Sequence, residues 1–440
     1  MGTRRTSRQR FRHTDVGTSG NDGGTLVPSP RNEPMPARTA TTTDFDSARQ
    51  LFTDGLANLL AGRPADAERQ FSDSLALLPD RISTLVNLAA ARLGLSRPEA
   101  ALEAAERVLF LEPGNADAWF HRGGAMTQLG RWDDALASFG RAGELAPPFA
   151  DAWFRHGQVL QRLDRDAEAL RSYERAVAAD RGFAPAWTNI GTILRETGRV
   201  GEAADAFLEA RRNGADDELN GYYLSAVGHG TVPATAPATY VETLFDDYAD
   251  VFATHVVQAL DYRAPGMLAR TLGEVAPHRR FRCALDLGCG TGLCGVQLRP
   301  STERLHGVDL SGRMLAEAAS TKVYDTLSKR DIVDHLRDAS STFDLVAAAD
   351  VFIYVGDLAP VFAAVRNVLE KDGIFCFSVE LADGGDTEFR LLPSLRYAHG
   401  ESYLRRLADE HGFRVLRAVR GAIRRDQRRP IDGLLMFLGV

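Results

Sequence analysis

The stretch LDLGCGTGLCG, residues 285–295, places an acid and four glycines where a strand would turn into a helix. Gly290, Gly292 and Gly295 fit the G-x-G-x-x-G spacing that cradles a pyrophosphate at a helix N-terminus, whereas Asp286 with Gly288, Gly290 and Gly292 makes an acidic glycine loop. The two readings call for ligands of opposite charge. A carboxylate at Asp286 repels a doubly negative pyrophosphate but attracts the ammonium and sulfonium of S-adenosylmethionine. The acid favours the sulfonium cofactor.

More acids follow at strand-like intervals. HGVDLSGRML sets Asp309, with Leu310 after it, at the end of a second strand, where a carboxylate accepts both ribose hydroxyls of either cofactor. LSKRDIVDHL offers Asp331 to an adenine amino group with the Ile332 backbone beside it, or else as a helix N-cap. FDLVAAADVFIYVGDL runs a further strand into Asp350, at the carboxyl edge where open α/β sheets bind ligands, with Tyr354 close behind. In LRYAHGE, Arg396, Tyr397 and His399 could face a methyl acceptor. His399 or Tyr397 would be the base if that acceptor had to lose a proton.

The elements that must position these residues lie in the second half of the chain. CALDL, RLHGVDL, FDLVAAAD, GIFCFSVE, FRVLRAV and GLLMFLGV are short apolar runs alternating with helical stretches, the signature of a sheet with crossover helices. Before them, YVETLFDDYADVFATHV carries Val241, Leu244, Phe245, Tyr248, Val251 and Phe252 at helical spacing, with Glu242, Asp246, Asp247 and Asp250 mostly on the other face. Such a stripe must pack on something, and Tyr248 lies at its centre.

The first half repeats every 34 residues, with starts at 48, 82, 116, 150 and 184. Small residues recur at the eighth place (Gly55, Ala89, Gly123, Gly157, Gly191) and alanine at the twentieth (Ala67, Ala101, Ala135, Ala169, Ala203). Leu51, Leu85, Trp119, Trp153 and Trp187 recur at the fourth, while Phe71, Phe139, Tyr173 and Phe207 fill the gap between paired helices, with Ala105 in that place in the second repeat. Pro79, Pro113 and Pro147 end second helices. The sixth place reads Thr53, Asn87, His121, Arg155 and Asn189, a polar column suited to an extended peptide backbone. The expected organisation is a disordered tail over 1–43, a repeat solenoid over 44–217, a terminal helix and linker over 218–239, and an α/β domain over 240–440.

The repeats resemble the tetratricopeptide repeat. The acidic motifs, in their order, resemble class I S-adenosylmethionine-dependent methyltransferases, and the whole layout is similar to a bacterial group that carries both. The resemblance implies an all-α solenoid followed by a Rossmann-like domain with a mostly parallel seven-stranded sheet, including a late strand pair at 413–421 and 433–440. It also implies that the segment around Tyr248 covers the cofactor. A methyltransferase holding a protein, peptide or carrier-bound substrate in its repeat groove is the leading expectation. A small-molecule enzyme using the repeats for assembly, or a binding scaffold with a cofactor-sensing domain, remains open, as do the acceptor atom and the oligomeric state.

Composition narrows the partners. A net charge of -7 speaks against nucleic acid, and no apolar run reaches the ~18 residues of a membrane span, so a cytoplasmic location is expected. Cys283, Cys289, Cys294 and Cys376 show no paired C-x-x-C spacing, and no metal site is expected. Calorimetry should find that the loop binds S-adenosylmethionine in preference to NAD, and Asp309→Ala should weaken that binding by about 1–3 kcal/mol.

Overall fold

The computed structural model describes residues 41–246, 262–382, 388–426 and 429–440. Residues 1–40 of the tail expected over 1–43, and the stripe from Asp247 onward, including Tyr248, lie outside the described residues, while Thr42 and Thr43 already belong to the first helix.

Five helix pairs follow the 34-residue period: α1 Thr42–Leu60 with α2 Pro64–Leu77, α3 Ile82–Gly94 with α4 Pro98–Leu111, α5 Ala116–Gln128 with α6 Trp132–Leu145, α7 Ala150–Arg162 with α8 Asp166–Ala179, and α9 Ala184–Glu196 with α10 Val200–Arg212. A final helix, α11 Asp217–Ala226, packs on α10. The small residues at the eighth place are there because aromatic rings lie against them. A Cβ on Gly55, Gly157 or Gly191 would stand 2.5 Å from the ring of Phe71, Tyr173 or Phe207, and one on Gly123 would stand 2.7 Å from Phe139. The second repeat changes both partners together, so that Ala89 and Ala105 are both fully buried in one cluster. All five alanines at the twentieth place are fully buried.

The proposed peptide column is less free than its polarity suggests. Thr53 and Asn87 donate to the carbonyls of Arg49 and Ser83 in their own helices, and Arg155 donates to Gln158. A further signal has the same period: Arg63, Arg97, Arg131, Arg165 and Arg199 precede every second helix. The last three pair with the acid three residues on, at 2.8 Å or less.

The C-terminal half is one sheet. Its main run is β3 Thr326–Lys329, β2 Thr302–Asp309, β1 Phe281–Leu287, β4 Phe343–Ala348, β5 Leu369–Leu381, β9 Arg429–Gly439 and β8 Arg414–Asp426. Within it β9 alone is reversed, pairing antiparallel with both β5 and β8. β1 and β4 read as near-continuous apolar segments because both sheet faces are covered. The expected mostly parallel seven-stranded sheet is present, with two additions. β6 Phe389–Leu391 and β7 Tyr397–His399 form a short hairpin on the end of β5. Three-residue strands carry no readable alternation, which is why residues 396–399 read as loop.

Helices α13 Ala264–Val275, α14 Leu293–Leu298, α15 Gly312–Ser320, α16 Ile332–Arg337, α17 Ala359–Val368 and α18 Glu401–Glu410 complete the domain, and a helix over 238–246 (α12) leads into it. No helix among the described residues is long and apolar enough to cross a membrane.

The segment read as a linker is docked. Thr235 bridges Val355, the Ala236 amide donates to the Tyr354 carbonyl, and the Ala234 carbonyl accepts from Gly356 and Asp357. The Tyr397 hydroxyl donates to the Pro233 carbonyl at 2.9 Å, and the Tyr222 hydroxyl of α11 donates to the Leu395 carbonyl at 2.7 Å. Arg195 of α9 donates to the Pro393 carbonyl. Solenoid and sheet therefore share one seam.

Gly191→Ala should destabilise the repeats by about 1–3 kcal/mol through overpacking, although alanine is the better helix former. The penalty should shrink in a Phe207→Leu background, and urea unfolding of the double-mutant cycle reads that coupling.

Candidate cofactor and acceptor site

The glycine loop leaves β1 in a conformation that side chains resist. Gly288, Gly290 and Gly292 have φ of 61°, 53° and 89°. Gly288 must also lack a side chain because Val351, just after β4, stands 2.5 Å from where its Cβ would be. Nothing lies within 4 Å of the Cβ position of Gly290. That open space is bordered by Asp309, whose Oδ2 accepts from the Gly290 amide and whose Oδ1 accepts from the Ser311 amide, each at 2.9 Å. Burial raises the Asp309 carboxyl above its ordinary value, opposed by these amides.

Asp286 lies beneath the loop and is fully buried. Its Oδ2 accepts from the Tyr324 hydroxyl at 2.7 Å, while Oδ1 has no partner of hydrogen-bonding geometry. Burial pushes its carboxyl up to about 7, with the Tyr324 hydroxyl and then the Cys294 thiol opposing the rise. Gly295 explains the approach, since any Cβ there would collide with the Tyr324 ring. Asp331 caps α16, its Oδ1 accepting from Val333 and Asp334, with Ile332 buried beside it.

Asp350 has a positive φ of 60°, uncommon away from glycine. Its amide donates to Ser378 Oγ at 2.8 Å, and its Oδ1 accepts from Arg424 at 2.6 Å. Arg424, only 3% exposed, also donates to Glu380 at 2.5 Å. Burial raises the Glu380 carboxyl, with Arg424 opposing. Sequence reasoning missed this triad. A register shift between Ala422 and Arg424 in β8 lets both Ile423 and Arg424 face inward, and a bulge leaves no mark on residue type.

His399 and Tyr397, expected beside the acceptor, are interior residues, both 0% exposed. His399 Nε2 donates to the carbonyls of Val355 and Gly356, its ring stacks on Tyr403, and burial holds its pKa down to about 4. Tyr397 is held by Pro233, as described. Tyr354 and Arg396 instead line an open cavity of about 640 Å³ together with Tyr240 and Leu244 of α12. The start of the expected covering helix does reach the strand ends: Asp246 accepts from Ser311 Oγ at 2.5 Å, Glu242 pairs with Lys329 at 2.6 Å, and Phe245 packs edge-on against Tyr354. Glu242 and Asp246 of its acidic face are thus both paired.

The open space before Gly290 and the strand-end carboxylate of Asp309 leave room for S-adenosylmethionine, whereas Asp286, expected to face its cationic groups, is enclosed beneath the loop against Tyr324. This is a cofactor-binding α/β domain of the methyltransferase type behind a helical-repeat solenoid. Comparison with known proteins agrees: the family described as "Methyltransferase domain" matches residues 285–375, and "Tetratricopeptide repeat" matches 86–148 and 154–218. The chain carries tetratricopeptide repeats followed by an S-adenosylmethionine-type methyltransferase domain.

Similar proteins differ in what they do. The chain is 33% identical over 118 residues to the biotin biosynthesis bifunctional protein BioHC of Saccharophagus degradans, covering 25% of this chain and 20% of that protein. It is 32% identical over 124 residues to the mitochondrial arginine-hydroxylase NDUFAF5 of Homo sapiens, covering 28% and 35%. It is 30% identical over 153 residues to malonyl-(acyl-carrier protein) O-methyltransferase of Geobacter sulfurreducens, covering 34% and 56%. The chain thus spans from a fifth to just over half the length of these relatives.

Two outcomes follow from the buried charges. Arg424→Met should cost about 3–5 kcal/mol in urea unfolding, because it leaves Asp350 and Glu380 uncompensated. Asp286 holds its proton more tightly folded than at its ordinary 3.8, so its contribution to stability is full below 3.8 and lost as pH rises through about 7. Asp286→Asn should flatten that fall, as read by unfolding from about pH 5 to about pH 8.

Proposed function

We propose that the chain is an S-adenosylmethionine-dependent methyltransferase whose repeats hold a protein, peptide or carrier-bound substrate against the strand ends of its catalytic domain. One observation carries this reading: the last repeat, α11 and the docked segment 233–236 contact the residues that surround Tyr354. A substrate lying on the last repeats is therefore already beside the carboxyl edge of the sheet.

The cofactor residues in this reading are Asp286, Gly288, Gly290, Gly292, Asp309, Leu310, Asp331 and Ile332, with Asp350 toward the reacting end and Tyr248 from the covering segment. Bound S-adenosylmethionine supplies an electrophilic methyl group with a neutral thioether as leaving group. The chain's own work is then alignment and exclusion of water. Val351 and Gly288 fix the loop against β4, and Arg424 holds Asp350. Phe245 and Tyr354 close an apolar side. His399 and Tyr397 act through the shape of the 354–357 loop in this reading, because each hydrogen-bonds at the seam instead of facing the cavity.

A carrier-bound acceptor draws support from the relative named as a malonyl-(acyl-carrier protein) O-methyltransferase. The relative named as an arginine-hydroxylase supports a competing reading, in which the domain does other chemistry. Full-length protein incubated with methyl-labelled cofactor and cell lysate separates them. Label in the protein fraction is the expected result. Label confined to small molecules would favour a small-molecule enzyme with the repeats used for assembly, and cofactor binding without any label would favour a sensor or hydroxylase.

A further inference from the structure

The cavity at the seam is built by both halves of the chain. Arg195 and Glu196 come from the last turn of α9, Tyr240 from α12, Tyr354 from the loop after β4, and Leu395 and Arg396 from the β6–β7 turn. At about 640 Å³ it is large enough for the end group of an acceptor.

Arg195 is the unusual member. Its side chain is 8% exposed, and two of its nitrogens are committed, one to the Pro393 carbonyl and the other to Glu196 at 2.9 Å. Its Nε is buried and has no partner. Buried guanidinium donors are normally satisfied, and two fixed bonds leave this one no rotamer with which to seek another partner. Arg396 lines the same cavity beside Tyr354. The carboxylates that also border the space, Glu196 and Asp166, lie toward solvent, Glu196 with its side chain 53% exposed. Water screens them more than it screens the guanidinium. His399, which donates to the two carbonyls that follow Tyr354, is enclosed. Among the described residues the lining therefore offers guanidinium donors, one of them already paired with Glu196, and no imidazole.

We infer that this cavity seats an oxyanion of the acceptor, a carboxylate or a phosphate, gripped by Arg195 from the repeats and Arg396 from the methyltransferase domain. The inference deepens the proposed function, since it makes the last repeat part of the acceptor site. It also suits an acceptor that is already ionised and needs no base.

Saturation-transfer NMR on the full-length chain, with glutarate, phenyl phosphate and cadaverine as probes, tests it. Glutarate or phenyl phosphate should give signal and cadaverine none, and whichever acid binds names the source of the oxyanion. Arg195→Gln and Arg396→Gln should each weaken that acid about tenfold, as for loss of a charged hydrogen bond, while calorimetric affinity for S-adenosylhomocysteine is unchanged. If Arg195→Gln does not fold by circular dichroism, Leu244→Trp narrows the cavity from partly exposed α12 and should weaken the same acid. Preference for cadaverine, binding of neither acid, or acid binding untouched by these variants overturns the inference. Loss of S-adenosylhomocysteine binding in the unaltered chain would instead sink the proposed function, and the probe signals would still report on the cavity.

Discussion

The backbone pairing of residues 234–236 with 354–357 is the interaction on which the rest of the site depends. The Ala234 carbonyl accepts two amides, and the Ala236 amide answers the Tyr354 carbonyl. Prolines at 233 and 237 supply no amide of their own, so the segment can pair here but cannot extend into a strand. This short contact does two jobs. It fixes the loop that follows β4, and it ties the solenoid to that loop. The β6–β7 hairpin, too short to be stable alone, is then caught from the solenoid side by Tyr222 and Arg195.

The three strand-end acids occupy three different electrostatic situations, although each is an aspartate at the carboxyl edge. Asp286 is enclosed and its charge is disfavoured by burial. Asp309 is held by loop amides and stays at the edge of open space. Asp350 is paired with a buried arginine that it shares with Glu380. A buried ion pair is weak evidence for stability, so the triad is better understood as a device that holds a left-handed residue beside the glycine loop. Division of labour among identical side chains here comes from surroundings alone.

The solenoid uses one packing solution repeatedly. A ring over a glycine brings two helices close, and in the second repeat the glycine gains a methyl as Ala89 while the ring gives way to Ala105. Each pair then presents an equivalent face to the next, and α11 stacks where a further repeat would begin. At the last turn of α9 the repeat departs from that regularity, and Arg195 turns toward the sheet domain. One of the contacts that join the halves is therefore a departure from the period.

What residue types alone determined was local or periodic. The 34-residue spacing dictates paired helices because small and aromatic residues must face each other at fixed intervals. The acid–glycine order dictates a strand, a tight turn and a helix because glycine adopts those backbone angles at least cost. What only the tertiary structure decided was which polar groups remain available. His399 and Tyr397 look like loop residues in sequence but are enclosed, since a three-residue strand is recognisable only once β5 and the solenoid are beside it. Arg424 and Arg195 look like ordinary surface arginines among many, yet a strand bulge and a domain seam bury them. Burial is a property of neighbours distant in the chain, and neither residue type nor spacing encodes it.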